Sequence, residues 1–446
     1  MGEEKGMMPN ISTDWTEVHY VDIYGRTHAL SVRTKRLFDS ELYIDGSSVG
    51  LAEISDSDLH LVPDLHTVRK LPWNPRVSRV IAEIWNDGTP FWAETRRIAT
   101  KTSTYLKDLG YVERTGVEIE FFLHKVSYLI EPTKQYVIIH NDEYPPRGHL
   151  KPKNSYEYPD HDSDKYEARM ESVEYLDRMG VSVSLHHHEV APNQYEISTG
   201  AGSIKEVGDS VVTVKYVVRY AAKKHGYVAN FMPKPISEDN GSGMHTHLSL
   251  WSGTTNLFDV GDCGKYDVSQ LARYFIGGVL YHGRSLSALV APTVNSYKRL
   301  LPGYEAPIYL AWGFSNRSAA IRVPKTSRSD MKRIEFRVPD PSANPYLAIS
   351  AIFLAGLDGI KKKIDPGDPV SKNIYRMSEW ELKELGINSL PKTLMEALEE
   401  LENDNEYLKP IISGNLLEMY IEKKKEEALK VCSAPTPAEY AEYLMW

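Results

Sequence analysis

The chain is poor in cysteine: its 446 residues hold only two, Cys263 and Cys432, far apart in the sequence. That argues against a disulfide framework and against a thiolate zinc site. Long apolar runs are missing as well. The nearest approach, YLAISAIFLAGL at 346–357, falls short of the roughly 18 residues a membrane helix needs and suits a buried helix. Positive charge is not in excess, since 61 acidic against 52 basic side chains give a formal net charge of −9, which disfavours nucleic acid as a partner. The opening MGEEKGMMPN has neither the basic nor the apolar region of a signal peptide. Neither G-x-x-x-x-G-K-S/T nor G-x-G-x-x-G occurs, so neither a P-loop nor a dinucleotide-binding turn is expected. These absences together predict a cytoplasmic protein that binds neither membrane nor nucleic acid.

The length allows about two or three domains. Residues 18–33 read as two strands around Tyr24-Gly25, and residues 77–94 as another pair around Asn86-Asp87-Gly88, which predicts a small, mostly β unit at the start. RRIATKTSTYLKDLG reads as a helix stopped by Gly110. The stretch 140–165, rich in Pro, Asn, Asp and Tyr, has no periodicity and reads as a long loop. Asn344-Pro345 starts a helix that ends in KKKI, and the tail from 392 is helical and charged.

What is abundant is a strand pattern with one polar face. In TGVEIEFFLHKV, Val117, Ile119, Phe121 and Leu123 fall on one side, Glu118 and Glu120 on the other. The pattern recurs: His187 with Glu189, then Gln194, Glu196 and Ser198, then His245, His247 and Ser249, then Arg333, Glu335 and Arg337. A merely solvated face carries Lys, Thr and Ser, whereas this one selects Glu, His and Arg. Carboxylates two residues apart on a strand sit roughly 6.7 Å apart and repel by on the order of 2.5 kcal/mol at an effective dielectric of about 20. Several in one concavity need a counter-ion. A set dominated by Glu118, Glu120, Glu189, Glu196 and Glu335, with His245 as the nitrogen donor, is mostly hard oxygen and points to Mg²⁺ or Mn²⁺ over Zn²⁺. Arg299, Arg317, Arg322, Arg333 and Arg337 follow closely and suit phosphate and carboxylate recognition. Metals beside arginines fit a nucleoside triphosphate. DNGSGMH, 239–245, reads as a flexible turn whose amides are free for a small charged ligand.

DGSS at 45–48, SDL at 57–59, VEIEFFL at 117–123, HHHEVA at 186–191, FMPKP at 231–235, NGSGMHTHLSL at 240–250, NSYKRLLPGYEAP at 295–307, NRSAAIRVP at 316–324 and RIEFRVPDPSANPYLA at 333–348 stand in this order. Together they resemble the glutamine synthetase family of the bacterial and archaeal type over nearly the whole chain. The resemblance implies an α+β fold, with a small β-grasp-like N-terminal domain at 12–97 and a catalytic domain at 98–446 whose antiparallel β-sheet funnel is flanked by helices. It implies ATP-dependent ligation of ammonia to L-glutamate through γ-glutamyl phosphate, in a homo-oligomer, a dodecamer of two hexameric rings with shared active sites. Two or more Mg²⁺ or Mn²⁺ per site and ATP as co-substrate are implied too.

Carried over by motif, Glu120, Glu189 and Glu196 look like ligands of one metal, and Glu118, His245 and Glu335 like ligands of the other. Asn240, Gly241, Arg299, Glu305, Arg317 and Arg337 look like the glutamate site. His247, Ser249, Arg317, Arg322 and Arg333 look like the ATP site. Asp45 would take the proton from ammonium in a neighbouring subunit, Glu305 would close over the site, and Arg317 would stabilise the phosphoryl group. Asn193 stands where the family usually has Gly, and Tyr375 where some members are adenylylated, though the NLYDLP pattern around it is missing and no such modification is expected. Two rivals keep parts of this pattern: a γ-glutamyl ligase for a larger amine, and a metal-dependent amidohydrolase, whose ligands His186-x-His188 and His245-x-His247 imitate.

Overall fold

Two sheets carry the chain, and the alternation of apolar residues decides which face of each is buried. The computed structural model describes residues 11–39, 41–130, 135–140, 155–160, 163–260, 267–434 and 436. The first sheet is built from β1 (Trp15–Val21), β2 (Thr27–Arg33), β3 (Leu42–Asp45), β4 (Asp58–Leu71), β5 (Asn74–Asn86) and β6 (Thr89–Pro90), with α1 (Arg36–Asp39) between β2 and β3. Its order is β2-β1-β5-β4-β3, and β1 and β5 run parallel at its centre. The β1–β2 hairpin turns at Gly25, whose φ of +79° suits glycine.

The second predicted pair is different. Its turn exists at Asp87-Gly88, but β6 makes only the pairs Trp85↔Pro90 and Asn86↔Thr89. Pro90 has no amide to extend the ladder, and the chain turns at once into Glu94, the N-cap of α2 (Thr95–Asp108). The long partner of β5 is β4, whose DLHLVPDLHTVRKL lacks a clean alternation. Helix α2 ends just before Gly110, at φ +85°, as its sequence predicts.

The second sheet begins with β7 (Val112–Ile130) and β8 (Gln135–His140), followed by α3 (Asp164–Arg178), β9 (Val183–His188), β10 (Gln194–Thr199), α4 (Ile204–Lys224) and β11 (Val228–Asn230). Next come β12 (Met244–Ser252), β13 (Thr255–Asn256), α5 (Gln270–Tyr281), α6 (Gly283–Val290) and α7 (Val294–Arg299). The strands β14 (Trp312–Phe314), β15 (Ile321–Val323) and β16 (Ile334–Phe336) precede α8 (Pro345–Lys362), α9 (Glu379–Glu384), α10 (Leu394–Asn403) and α11 (Gly414–Cys432). The strand order is β14-β15-β16-β12-β7-β10-β9, antiparallel throughout except for β14–β15. The chain is therefore α+β.

Val117, Ile119, Phe121 and Leu123 of β7 are fully buried, each worth about 1.5–3 kcal/mol relative to exposure. Helix α4 packs on β7, and α8 packs on α2, α4, α5 and α6. Asn344 caps α8 by accepting from the Tyr346 and Leu347 amides, Pro345 occupies its first turn, and the helix stops at Lys363 in the left-handed region. It is buried almost all round, which explains an apolar run in place of an amphipathic stripe. Among the described residues no helix is long and apolar enough to cross a membrane. Within 140–165, residues 155–160 form no regular element. Residues 141–154 and 161–162 of that predicted loop, like Cys263, lie outside the described residues.

Candidate active site

The polar face of the second sheet is brought together by strand register. Glu120 of β7 pairs with Glu196 of β10, which pairs in turn with His187 of β9. One step along, Glu118 pairs with His245 of β12. Beyond it, His247 pairs with Glu335 of β16, and Glu335 with Arg322 of β15. These rows floor a cavity of about 890 Å³. Glu118, Glu120, Glu189, Glu196, His245, Asn240, Gly241, Arg299, Glu305, Arg317, Arg322 and Arg337 all line it.

Crowding shows in the carboxyl groups. Burial, with repulsion from Glu189 and Glu196, pushes Glu120 up to about 7, although His245 opposes it. Burial and Glu196 push Glu189 up to about 7. Glu118 goes the other way: burial would raise it, but hydrogen bonds with His245 Nδ1 (3.1 Å) and His247 Nε2 (2.8 Å) hold it well below the carboxylate range. For Glu335 burial is again outweighed, by Arg337, His247, His245 and Arg322, leaving it at about 2. His187 is raised to about 9, burial being overcome by Glu196 at 3.3 Å.

Two groups of ligand atoms lie within 4.8 Å of one another: Glu118, Glu196 and His245, and separately His187, Glu189 and Glu196. Their oxygen-rich character fits a hard divalent ion. This partition differs from the one implied by family resemblance, because Glu196 belongs to both groups and His187 enters as a donor. Glu120 spends one oxygen on the Gly243 amide (2.8 Å) and Gln194 Nε2 (3.1 Å). Glu335 is held by Arg322 and, at 2.7 Å, by Arg337 Nη1.

Two amides of the 239–245 turn are already engaged within the chain. The Gly243 amide serves Glu120, and the Ser242 amide serves the Pro233 carbonyl. A Cβ on Gly241 would meet Pro233 O at 2.3 Å, and one on Gly243 would meet Arg299 Nη2 at 2.6 Å, so the glycines are there for close packing. Arg299 is buried in the wall, with Nη1 on Val338 O (2.8 Å) and Nη2 on Arg337 O (3.1 Å). Three buried polar atoms around the cavity, Asn240 Oδ1, Gln194 Oε1 and Arg337 Nε, have no hydrogen-bond partner among the described residues, the condition of groups that meet a polar ligand.

Five predicted residues stand outside the cavity lining. Glu335 lies buried beneath Arg322 and Arg337. His247 touches Glu118 and accepts from Arg333 Nε at 3.2 Å, while Ser249 accepts from Trp251 Nε1 at 2.9 Å. Asp45 lies on the first sheet, exposed, its carboxylate accepting from the Ser47 and Ser48 hydroxyls at 2.6 Å, which hold it well below the usual range. His188 places its ring nitrogens on the carbonyls of Glu189 and Pro192, and strand alternation turns His186 and His188 away from His187. The His186-x-His188 half of an amidohydrolase ligand set is therefore not presented beside His187, whereas His245 and His247 both reach Glu118. The departure at Asn193 is absorbed, since its Oδ1 accepts from Lys165 Nζ at 2.6 Å. Walls that sequence reasoning missed include Tyr156, Leu185, Tyr304, Phe314 and Asn373; Leu185 shares the His187 face of β9 but is apolar, Phe314 ends the short strand β14, and the others lie in loops.

An antiparallel sheet that gathers carboxylates, imidazoles and guanidinium groups around one cavity defines an α+β enzyme for small, highly charged substrates. The family models for the glutamine synthetase β-Grasp domain and the glutamine synthetase catalytic domain match residues 12–87 and 93–443. The chain belongs to the glutamine synthetase family and is a ligase. It is similar to the glutamine synthetase of Sulfolobus acidocaldarius, at 42% identity over 96% of this chain and 95% of that one. It is similar also to that of Thermotoga maritima, at 38% over 96% and 95%. Among solved structures it resembles Plasmodium falciparum glutamine synthetase, with a TM-score of 0.86 and 26% identity over 97% of this chain and 96% of that one. A structure described as a GmaS/ADP complex gives 0.84 and 28% over 97% of both chains.

Proposed function

We propose that the chain joins ammonia to L-glutamate at the expense of ATP, through γ-glutamyl phosphate, to give L-glutamine, ADP and phosphate. The observation that carries this reading is the single cavity in which Glu118, Glu120, Glu189, Glu196 and His245 face Arg299, Arg317, Arg322 and Arg337. A free carboxylate cannot expel oxide when an amine attacks it, whereas its acyl phosphate expels phosphate.

Two or more Mg²⁺ or Mn²⁺, held among Glu118, Glu120, Glu189, Glu196, His245 and Glu335, supply charge neutralisation to the triphosphate when bound. Asn240, Gly241, Arg299 and Arg337 orient glutamate, with Glu305, which accepts from Asn240 Nδ2 at 3.1 Å. His247, Ser249, Arg322 and Arg333 hold ATP, and Arg317 stabilises the phosphoryl group in transit. Holding the reactants in line contributes on the order of 7 kcal/mol. Glu305 keeps water from the acyl phosphate. Asp45, which does not line this chain's own cavity, acts as the base in the cavity of a neighbouring subunit.

The same reading makes 12–97 the N-terminal domain and 98–446 the catalytic domain, in a cytoplasmic dodecamer of two hexameric rings. The test is phosphate release with ATP, glutamate and ammonium omitted in turn, and with alkyl amines or polyamines replacing ammonium. Dependence on all three substrates with glutamine as product is expected. Activity without ATP, or a preference for the larger amines, refutes the reading.

A further inference from the structure

The loop after α7 carries Glu305 with its backbone in the left-handed region, at φ +59°. A residue with a side chain adopts that conformation only where its surroundings hold it. Three contacts do so. Asn240 Nδ2 donates to Glu305 at 3.1 Å. The Lys234 ammonium lies 3.4 Å from the centre of the Tyr304 ring. The Tyr375 hydroxyl donates to the Ala306 carbonyl at 2.9 Å, from 69 residues away.

Tyr375 differs from the other two in what stands behind it. Its short 3₁₀ turn, Ile374–Arg376, is capped by Asn373, and the Ile374 amide donates to Ser318 Oγ at 3.0 Å. Asn316 Nδ2 donates in turn to the carbonyls of Val370 (2.8 Å) and Lys372 (3.0 Å). The segment that presents Tyr375 is thus stitched to the turn that carries Arg317. Tyr375, Ala306, Glu305 and Arg317 all line the same cavity. One hydroxyl therefore spans the gap between the loop bearing Glu305 and the turn bearing Arg317.

We propose that Tyr375 is a positioning residue, whose hydroxyl clasps the Ala306 carbonyl and so fixes the Glu305 loop against the Arg317 turn while an acyl phosphate is present. The proposal rests on the reaction assigned in the preceding subsection. Its consequence is partition. Ammonia attack on the acyl carbon forms the carbon–nitrogen bond and releases phosphate with glutamine. Water attack on the same carbon releases phosphate and returns glutamate, so that ATP is spent with no product. A loosened loop admits water and raises the second route.

The Tyr375→Phe variant keeps the ring and removes only the hydroxyl. Losing one hydrogen bond to a neutral acceptor shifts the held-to-released ratio of the loop about fivefold. The assay follows phosphate and glutamine together in the full-length enzyme at limiting ammonium, and hydrogen exchange of the loop amides in the same two proteins. The expected result is a small excess of phosphate over glutamine in the parent, a rise of that water-derived excess by about fivefold in the variant, and faster exchange of the loop amides. A variant with the parent's phosphate-to-glutamine ratio overturns the proposal, whatever its turnover, and so does one with the parent's loop exchange. A parent that makes no glutamine from the three substrates refutes the assigned reaction instead, and the exchange comparison still decides the clasp.

Discussion

Lys215 is a buried lysine on α4, and its cost is measurable. Burial, with repulsion from Arg219, lowers its ammonium from 10.5 to about 8, against a weaker pull from Asp340. The folded state therefore gives up this proton more readily than the unfolded chain. Between about pH 8 and 10.5 the unfolded state binds more protons, so stability rises with pH across that window, and below it the full penalty is present. A fall of roughly 2.5 units corresponds to about 3 kcal/mol. Replacing Lys215 with methionine removes the charge and keeps most of the stem. For a 446-residue chain, an unfolding entropy of about 2.1 cal/mol/K per residue turns that into about 3 °C. Differential scanning calorimetry at pH 7 should show Lys215→Met melting higher by about this much. At pH 9.5 the advantage should fall to roughly half, because the parent's lysine is then neutral in the folded state and folding costs only the loss of a proton from an unfolded lysine about one unit below its pKa. No gain at pH 7, or an equal gain at both pH values, refutes the reasoning.

Two further outcomes follow from other parts of the molecule. A Cβ at Gly278 would stand 2.1 Å from Ala355 O and 2.7 Å from Gly359 Cα, where α5 crosses α8; Gly278→Ala should cost on the order of 3 kcal/mol through overpacking, seen as a lowered melting temperature. Alanine at Gly226, with φ +78° but no atom within 4 Å, should cost only about 1 kcal/mol, and equal losses at the two positions would contradict the packing account. Because Glu196 belongs to both ligand groups, Glu196→Ala should weaken Mn²⁺ binding at both by about tenfold or more, read as free Mn²⁺ by electron paramagnetic resonance. Loss at one site alone would show that the ligand groups do not share it.

The site was legible wherever a strand alternated. Glu118 and Glu120 against Val117, Ile119 and Phe121 set a period of two, and a strand with that period has one buried face whatever its neighbours are. The helix around Asn344-Pro345 was equally plain, since its cap and its stop are local chemistry. The strand β4 was not, because its partner β5 and the first-sheet core, more than its own pattern, keep it extended.

Local caps and alternation thus determined a mostly β start, the helix after Asn344 and acidic strands facing something cationic, while the α+β class came from the family resemblance. Which side chains meet was decided only by tertiary structure. Register placed Glu335 between Arg322 and Arg337, shared Glu196 between two ligand groups, and spent the Gly243 amide on Glu120. Apart from Glu335 with Arg337, these contacts join residues separated in the chain, and their energies depend on distance and burial, which the order of residues does not encode until the sheet has closed.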